Sequence, residues 1–468
     1  MKIHNTLTKQ VETIKPIDSK KLGIYSCGPT VYNRVHIGNL SSFIYADLIN
    51  RVARASDYKV KHVMNFTDID DKTIKRSSEL YPNLSPEEAL LKLTEAEINQ
   101  FTEDARDVGI DTSKIDFIKA TASIDIMQNI ILELIEHEGA YVADDGVYFS
   151  IENYTKNGHV YGQLSNIDAS STSSSRINND EYDKDNIHDF ALWKFKTSNE
   201  PSWDFEINGT NYPGRPGWHI ECSAMSVSSL NMPFDIHTGG IDLIFPHHEN
   251  EIAQSTATQG DKLANYFVHN EHMLIDGHKM SKSLNNFYTL ADIESKNIQK
   301  MALRMLVLQA HYRTQAHFSW ENLSSAENRL KSYRAMADLR WQPTSSNSKI
   351  TAEQIEATYN SMLESAKEDL DTPNALATLS QFEKEVSAAG IPSQSVESFK
   401  DFIVKVDKLL GLNISTDDIN QKAKDLIAER LSARSNGDYK KSDELRRQLE
   451  EQGIGVRDLA ETTLWYHL

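Results

Sequence analysis

The stretch Leu22-Gly23-Ile24-Tyr25-Ser26-Cys27-Gly28-Pro29-Thr30-Val31-Tyr32-Asn33-Arg34-Val35-His36-Ile37-Gly38-Asn39 decides the fold. Leu22 to Cys27 is an apolar run of strand length, and Gly28-Pro29-Thr30 closes it with turn chemistry. Beyond Asn39, residues Phe43, Ile44, Ala46, Leu48, Ile49 and Val52 recur at helical spacing. The tetrapeptide His36-Ile37-Gly38-Asn39 therefore stands where a strand has passed into a helix start, where free amides and the helix dipole favour phosphate. Gly38 lets a purine ring approach the backbone, and His36 and Asn39 can donate hydrogen bonds to phosphate oxygens. Lys59 to Phe66 reads as a second strand, closed by the polar tip Thr67-Asp68-Ile69-Asp70-Asp71-Lys72. Strand, helix, strand and polar tip specify an α/β fold with a parallel sheet, whose ligands bind at the carboxyl ends of the strands.

A second segment far along the chain points to the same ligand. Lys279-Met280-Ser281-Lys282-Ser283 follows Asp276-Gly277, so two ammonium groups three residues apart can reach one polyanion such as a triphosphate. A lone pair of lysines at this spacing is ordinarily solvated surface. Joined with the His-x-Gly turn upstream, it outlines a nucleotide site made from distant segments.

The rest of the chain fits around these two. Ser85-Pro86-Glu87-Glu88 is a capping box with proline at the first helical position, and Gly109 supplies the stop. Thr112 to about Tyr212 reads as an insertion, with a helix around Ile126 to Glu138 and a hairpin from Tyr141 to Phe149. Its Ser-, Asn- and Asp-rich run from Ser165 to Asn186 reads as a mobile loop without a catalytic role. Phe234 to His237 reads as a strand, followed by Gly239-Gly240 and a helix opened by Pro246. Ile293 to Met336 is expected to be helical throughout, and Ala352 to Leu410 helical with breaks at Asp371-Thr372-Pro373 and Gly390-Ile391-Pro392.

At 468 residues the chain exceeds one core and should divide into three to five units. No apolar run approaches the ~20 residues of a membrane span, and Met1 to Lys21 has no apolar signal region, so a cytoplasmic protein without a membrane partner is expected. The net charge of −19 disfavours long-range attraction to nucleic acid for the chain as a whole. Gln421 to Leu468 is the exception, with as many Lys and Arg as Asp and Glu.

Two cysteines, Cys27 and Cys222, exclude a disulfide framework. His247 and Glu251 are four apart on an expected helix, hence on one face, and two thiolates would complete a tetrahedral zinc shell. His248, three residues from Glu251, could take the place of His247. Spacing alone leaves this reading level with two inert buried thiols beside a surface helix.

Taken in order, Cys27-Gly28-Pro29-Thr30-Val31-Tyr32, His36 to Asn39, Thr67 to Lys72, Gly217-Trp218-His219-Ile220-Glu221-Cys222-Ser223-Ala224-Met225, Phe245-Pro246-His247-His248-Glu249-Asn250-Glu251 and Lys279 to Ser283 resemble the cysteinyl-tRNA synthetase family of class I aminoacyl-tRNA synthetases. The resemblance implies a Rossmann-like catalytic domain (1–112 and 212–258) split by an inserted connective domain (113–211). A stem-contact region carrying the lysine motif (259–322), a helical bundle (323–405) and an anticodon-binding domain (406–468) would follow. It implies one zinc per chain on Cys27, Cys222, His247 and Glu251, with Thr67, Trp218 and His237 around the amino acid. ATP and magnesium would be handled by His36, Gly38, Asn39, Asp242, Lys279 and Lys282, of which His36, Asn39, Lys279 and Lys282 are catalytic. Arg434, Tyr439, Asp443 and Asp458 would read the tRNA anticodon.

The implied activity is a monomeric ligase that joins L-cysteine to tRNA(Cys) through an adenylate. The implied alternatives are a cysteine ligase acting on a small amino sugar and a catalytically silent binding protein. Asn39 in place of a second histidine, Leu40-Ser41-Ser42, and Asn285 where glycine is usual depart from the family pattern.

Overall fold

The computed structural model describes residues 1–165, 176–177, 188–258, 260, 262–279, 286–344, 349–458 and 463–468. The Ser-rich run lies almost wholly outside the described residues, as does Lys282. The described chain forms two compact units, Met1–Asp292 with Tyr312–Gln315, and Ile293–His311 with Ala316–Leu468.

The first unit is built on a five-stranded sheet, parallel throughout, in the order Ala264–Asn270, Phe234–Gly240, Lys21–Ser26, Lys59–Phe66, Asp116–Lys119. In sequence order this is 5-4-1-2-3, so strand order reverses between Lys21–Ser26 and Phe234–Gly240. That crevice is where a doubly wound sheet binds its ligand. The expected strand Lys59–Phe66 forms over those residues, and the helix after the first strand runs Ile37–Ala55. Ser85 caps Pro86–Asp107 with the reciprocal Glu88 contact, and Gly109 ends that segment at a positive φ. Asp116–Lys119, expected inside the insertion, thus belongs to the parallel sheet, and the chain after it holds the helix Ile124–Glu136 and a second sheet, antiparallel along the order Gly214–Pro216, Asp189–Phe195, Gly146–Phe149, Ala140–Val142. Its Trp193, Phe149 and Phe190 share one core with Tyr25, Val63 and Phe234 of the parallel sheet.

Glycine is required where the chain leaves the first strand. A Cβ on Gly28 would stand 1.7 Å from the carbonyl oxygen of Asn65, so the turn after Cys27 packs flush against the neighbouring strand end. Asn65 accepts the Gly28 N–H at 2.8 Å.

Two local expectations are corrected. The double glycine belongs to the strand Phe234–Gly240 itself, because both residues pair with Ala264–Asn270. Pro246 does open a helical stretch, since Phe245 before it is extended and the helical backbone after it continues into Glu249–Thr256. The segment 293–336 is not continuously helical. Met301–Leu308 and Trp320–Asp338 are separated by a strand at Ala316–Phe318, and Ser319 caps the second helix by accepting from Asn322 N–H.

The second unit contains those helices, then Ala352–Lys367, Thr372–Ala389 and Val396–Leu410, broken where the Pro and Gly signals predict. Gln421–Ser435, Tyr439–Glu450 and an antiparallel hairpin of Ile454–Asp458 with Thr463–His467 complete it. Among the described residues, no helix is long and apolar enough to cross a membrane.

Candidate active site and metal centre

A cavity of about 340 Å³ opens at the strand-order reversal, lined by Cys27, Gly28, His36, Asn39, Lys72, Trp218, Gly239, Gly240, Asp242 and Phe287 among others. It joins residues from both halves of the parallel sheet, as the crevice rule requires.

At the nucleotide end, His36 is the N-cap of Ile37–Ala55, its Nδ1 accepting the Asn39 N–H at 3.1 Å. Burial lowers the His36 pKa to about 4, against a smaller opposing pull from Asp242, so the ring is neutral near pH 7. Phe287 meets the His36 ring edge-on at 4.7 Å, and Ile37 N–H donates to the Tyr288 carbonyl at 2.9 Å. The segment just after the lysine motif therefore rests on the helix start. Lys279 ends a short strand, His278–Lys279, paired with Met273–Ile275 across an Asp276-Gly277 turn in which both residues have positive φ. Asp-Gly at such a two-residue turn is the combination a tight hairpin favours. Asp242 is on the cavity wall and half exposed, 4.0 Å from His272 Nδ1.

At the other end four ligand atoms converge. One atom each from Cys27, Cys222, His247 and Glu251 lie within 4.8 Å of one another, and all four residues are buried. Cys27 Sγ is 3.8 Å from Cys222 Sγ and 3.7 Å from Glu251 Oε1, and His247 Nε2 is 3.1 Å from Glu251 Oε1. A tetrahedral zinc with ligands at ~2.0–2.3 Å has edges of about 3.3–3.8 Å. The residues present fit that ion closely.

A second combination, Cys27, His237, His248 and Glu251, also falls within this limit, with Cys27 Sγ 3.3 Å from His248 Nε2. It is the poorer donor set for zinc, having one thiol. His237 Nε2 lies 2.8 Å from Glu251 Oε2, and His248 Nδ1 is 2.8 Å from His269 Nε2, which leads on to Thr6. These contacts orient ligands from behind, as metal-site carboxylates and imidazoles require. His219 does the same for His247, the two Nδ1 atoms standing 2.8 Å apart, while Trp218 stacks on the His247 ring at 4.1 Å.

Burial pushes the Cys27 thiol well up and the His247 pKa down to about 3, so both are driven toward neutrality. A divalent cation reverses the pressure on the thiol, because a coordinating thiol is deprotonated outright.

Of the three residues expected around an amino acid, Trp218 is on the cavity wall. Thr67 and His237 are buried, with Thr67 Oγ1 donating to Glu221 Oε2 at 2.9 Å and His237 held on Glu251. His219, Glu221, His269, Lys72 and Phe287 were not singled out from the sequence. His219 and Glu221 stand inside the quoted block around Cys222, which is the signal that could have flagged them. Gly217 opens that block for a physical reason: a Cβ there would lie 2.0 Å from the Ala191 carbonyl oxygen.

In the second unit, Arg434 and Asp458 form a 3.0 Å ion pair, Tyr439 is exposed at the first turn of its helix, and Asp443 lies one turn further along the same helix. Asp458 also accepts two bonds from Arg430, at 2.6 and 2.9 Å, and one from Thr463. These expected anticodon residues are separate from the cavity set in sequence and belong to the other compact unit.

Comparison with known proteins bears on both units. The family described as "tRNA synthetases class I (C) catalytic domain" matches residues 13–328, and "Cysteinyl-tRNA ligase anticodon binding domain" matches residues 416–465. A cysteine–tRNA ligase of Brachyspira hyodysenteriae is 38% identical over 99% of this chain and 98% of its own. One from Leptospira interrogans is 36% identical over 99% of each. Among solved structures, the methionyl-tRNA synthetase of Mycobacterium tuberculosis with methionyl-adenylate superposes with a TM-score of 0.55 at 11% identity, covering 84% of this chain and 90% of that one. The Agrobacterium radiobacter LeuRS does so at 0.58 and 9%, covering 85% of each. At such identities these two speak for the fold alone.

Proposed function

The chain belongs to the cysteine–tRNA ligase family, and from that premise we propose that its cavity activates L-cysteine with ATP and transfers the cysteinyl group to the 3′ end of tRNA(Cys). The observation that carries this reading is the convergence of Cys27, Cys222, His247 and Glu251 on one point, across the same cavity from the helix start capped by His36. In the first step the cysteine carboxylate oxygen bonds to the α-phosphorus of ATP and pyrophosphate leaves. In the second, a hydroxyl oxygen of the terminal ribose attacks the acyl carbon and AMP leaves.

Zinc, when bound, would supply a soft Lewis acid that prefers a thiolate to a hydroxyl, which separates cysteine from serine where shape alone discriminates poorly. Cys27, Cys222, His247 and Glu251 would hold it. His237 and His219 keep Glu251 and His247 in orientation, and Trp218 shields the His247 face. His36, neutral and capped through Nδ1, has Nε2 to offer as a donor to phosphate. Asn39, exposed at the helix start, and Gly38 beside it would complete the phosphate cradle. Lys279 and Lys282 are assigned to the triphosphate from their spacing, with magnesium on the same oxygens and Asp242 on the ATP ribose. Fixed donors of this kind lower the barrier because they are aimed where charge develops in the transition state. Arg434, Tyr439, Asp443 and Asp458 are assigned to the anticodon.

The test is charging of bulk tRNA with labelled cysteine, ATP and magnesium, together with cysteine-dependent pyrophosphate exchange. Charging and exchange are both expected. Exchange without charging would assign the adenylate to another acceptor, and loss of both would overturn the reading.

A further inference from the structure

In the second unit, the outer edge of the last strand is gripped by side chains in place of a third strand. Trp465 N–H donates to Gln342 Oε1 at 2.8 Å, and Gln342 Nε2 donates to the Trp465 carbonyl at 2.9 Å. Two residues on, His467 N–H donates to Asp338 Oδ2 at 2.9 Å, and the His467 ring Nδ1 lies 3.1 Å from Asp338 Oδ1. Residues 465 and 467 alternate with those whose backbone faces Ile454–Asp458, so these bonds occupy the polar groups an edge strand leaves unpaired. Asp338 is the last residue of Trp320–Asp338 and is fully buried, and Gln342 follows one short turn later.

The same anchor holds the incoming chain. Thr416 Oγ1 donates to Asp338 Oδ1, and the Thr416 carbonyl accepts from Trp341 Nε1 and from Arg340. Both ends of the module that begins near residue 416 are thus tied to one corner of the helical bundle. That corner falls in the interval between the two family matches, which end at 328 and begin at 416.

We propose that Asp338 and Gln342 are positioning residues for tRNA reading, setting the Ile454–Asp458 and Thr463–His467 hairpin, and with it Asp458 and its partner Arg434, in one orientation on the bundle. Backbone hydrogen bonds to two alternate residues fix both the height and the tilt of a strand, which apolar packing alone does not. The proposal rests on the ligase reading, in that the hairpin carries anticodon contacts.

The test compares wild type with Gln342→Met, which keeps side-chain length and loses both hydrogen bonds to Trp465 along with one to the Asp338 carbonyl, and with Asp338→Asn. Each is assayed for tRNA(Cys) charging, for charging of the same tRNA with a substituted anticodon, and for cysteine-dependent pyrophosphate exchange without tRNA. Loss of two hydrogen bonds from the mount is expected to raise the KM for tRNA(Cys) by roughly tenfold. Exchange should be unchanged, and the preference for the native anticodon should fall. A general loss of folding would instead lower exchange in parallel, or scale both tRNAs equally. Either of those results, an unaltered KM, or a wild type indifferent to the anticodon overturns the proposal. Wild type that does not charge tRNA at all overturns the ligase reading instead.

Discussion

Two clusters of ionisable side chains, one in each unit, solve opposite problems. Cys27 on the cavity wall and Cys222, His247 and Glu251 behind it are at most 8% exposed, and among the described residues no lysine or arginine pairs with any of them. Burial instead presses the Cys27 thiol and the His247 ring toward neutrality. In the other unit Arg430 is just as buried, at 2%, yet Asp458 faces it with two bonds, and Arg434 and Thr463 fill the remaining acceptor positions. The second cluster balances its own charge, whereas the first gathers donors of the softness and spacing that a divalent cation takes. A buried group that the chain does not neutralise is costly unless something from outside does so. The contrast thus separates donors that call for a cation from an ion-pair cluster that balances its own charge.

Removing a ligand should break that contrast most visibly. Cys222→Ser replaces one of the two soft thiol ligands with a hard hydroxyl, and zinc affinity is expected to fall by about 100-fold or more. Cysteine-dependent exchange and the preference for cysteine over serine should fall with it. Asp458→Asn, at the self-sufficient cluster, should leave metal content and exchange as they are. Metal analysis on both variants decides the matter: equal zinc in Cys222→Ser and wild type would remove the distinction drawn here.

The next test separates capping from chemistry at the other end of the cavity. His36 caps its helix through Nδ1, which a shorter acceptor side chain can also do. His36→Asn is therefore expected to keep the helix start and the melting temperature while lowering kcat for exchange by about 100-fold. His36→Ala should lose the same activity and a further ~1 kcal/mol of stability. Equal activity in His36→Asn and wild type would reduce His36 to a cap.

How much of this could be read from the sequence follows the range of the interactions involved. The Leu22–Cys27 strand, the 59–66 strand and the Ser85 capping box are encoded by neighbours in the chain, and periodicity recovers them. Cys27 and Cys222 are paired in the sequence only by being its two thiols, since one follows a strand and the other lies inside the helix Trp218–Leu230, and spacing leaves His247 and His248 interchangeable. Both rings are held from behind, His247 by His219 and His248 by His269, and what favours His247 is that its grouping includes both thiols. The break at Ala316–Phe318 leaves little trace because three residues, the middle one the exposed His317, are too few to show a strand's alternation. Asp338 and Gln342 left no local signal at all, since their partners lie 129 and 123 residues away.

The smallest effect expected is the one that tests whether the second cluster is self-sufficient. The Arg430 guanidinium beside it, with help from Thr463 and Arg434, holds the Asp458 carboxyl well below the usual carboxylate range. A carboxyl with a depressed folded-state pKa adds stability that is fully present above its unfolded pKa of about 3.9. That contribution is lost as pH falls through the lower, folded value. Asp458→Asn should therefore cost about 2 kcal/mol at pH 7, the scale of a charge-assisted hydrogen bond. The difference between the two proteins should be steady from pH 7 to pH 5 and should shrink steadily below pH 4, as the wild-type carboxyl takes up a proton and comes to resemble the amide. Denaturant titrations of both proteins across this range measure it directly. A gap that stays constant below pH 4 would mean that the carboxylate charge contributes nothing beyond its shape, and the clamp would then be packing, with Arg430 left as a buried cation that something else must neutralise.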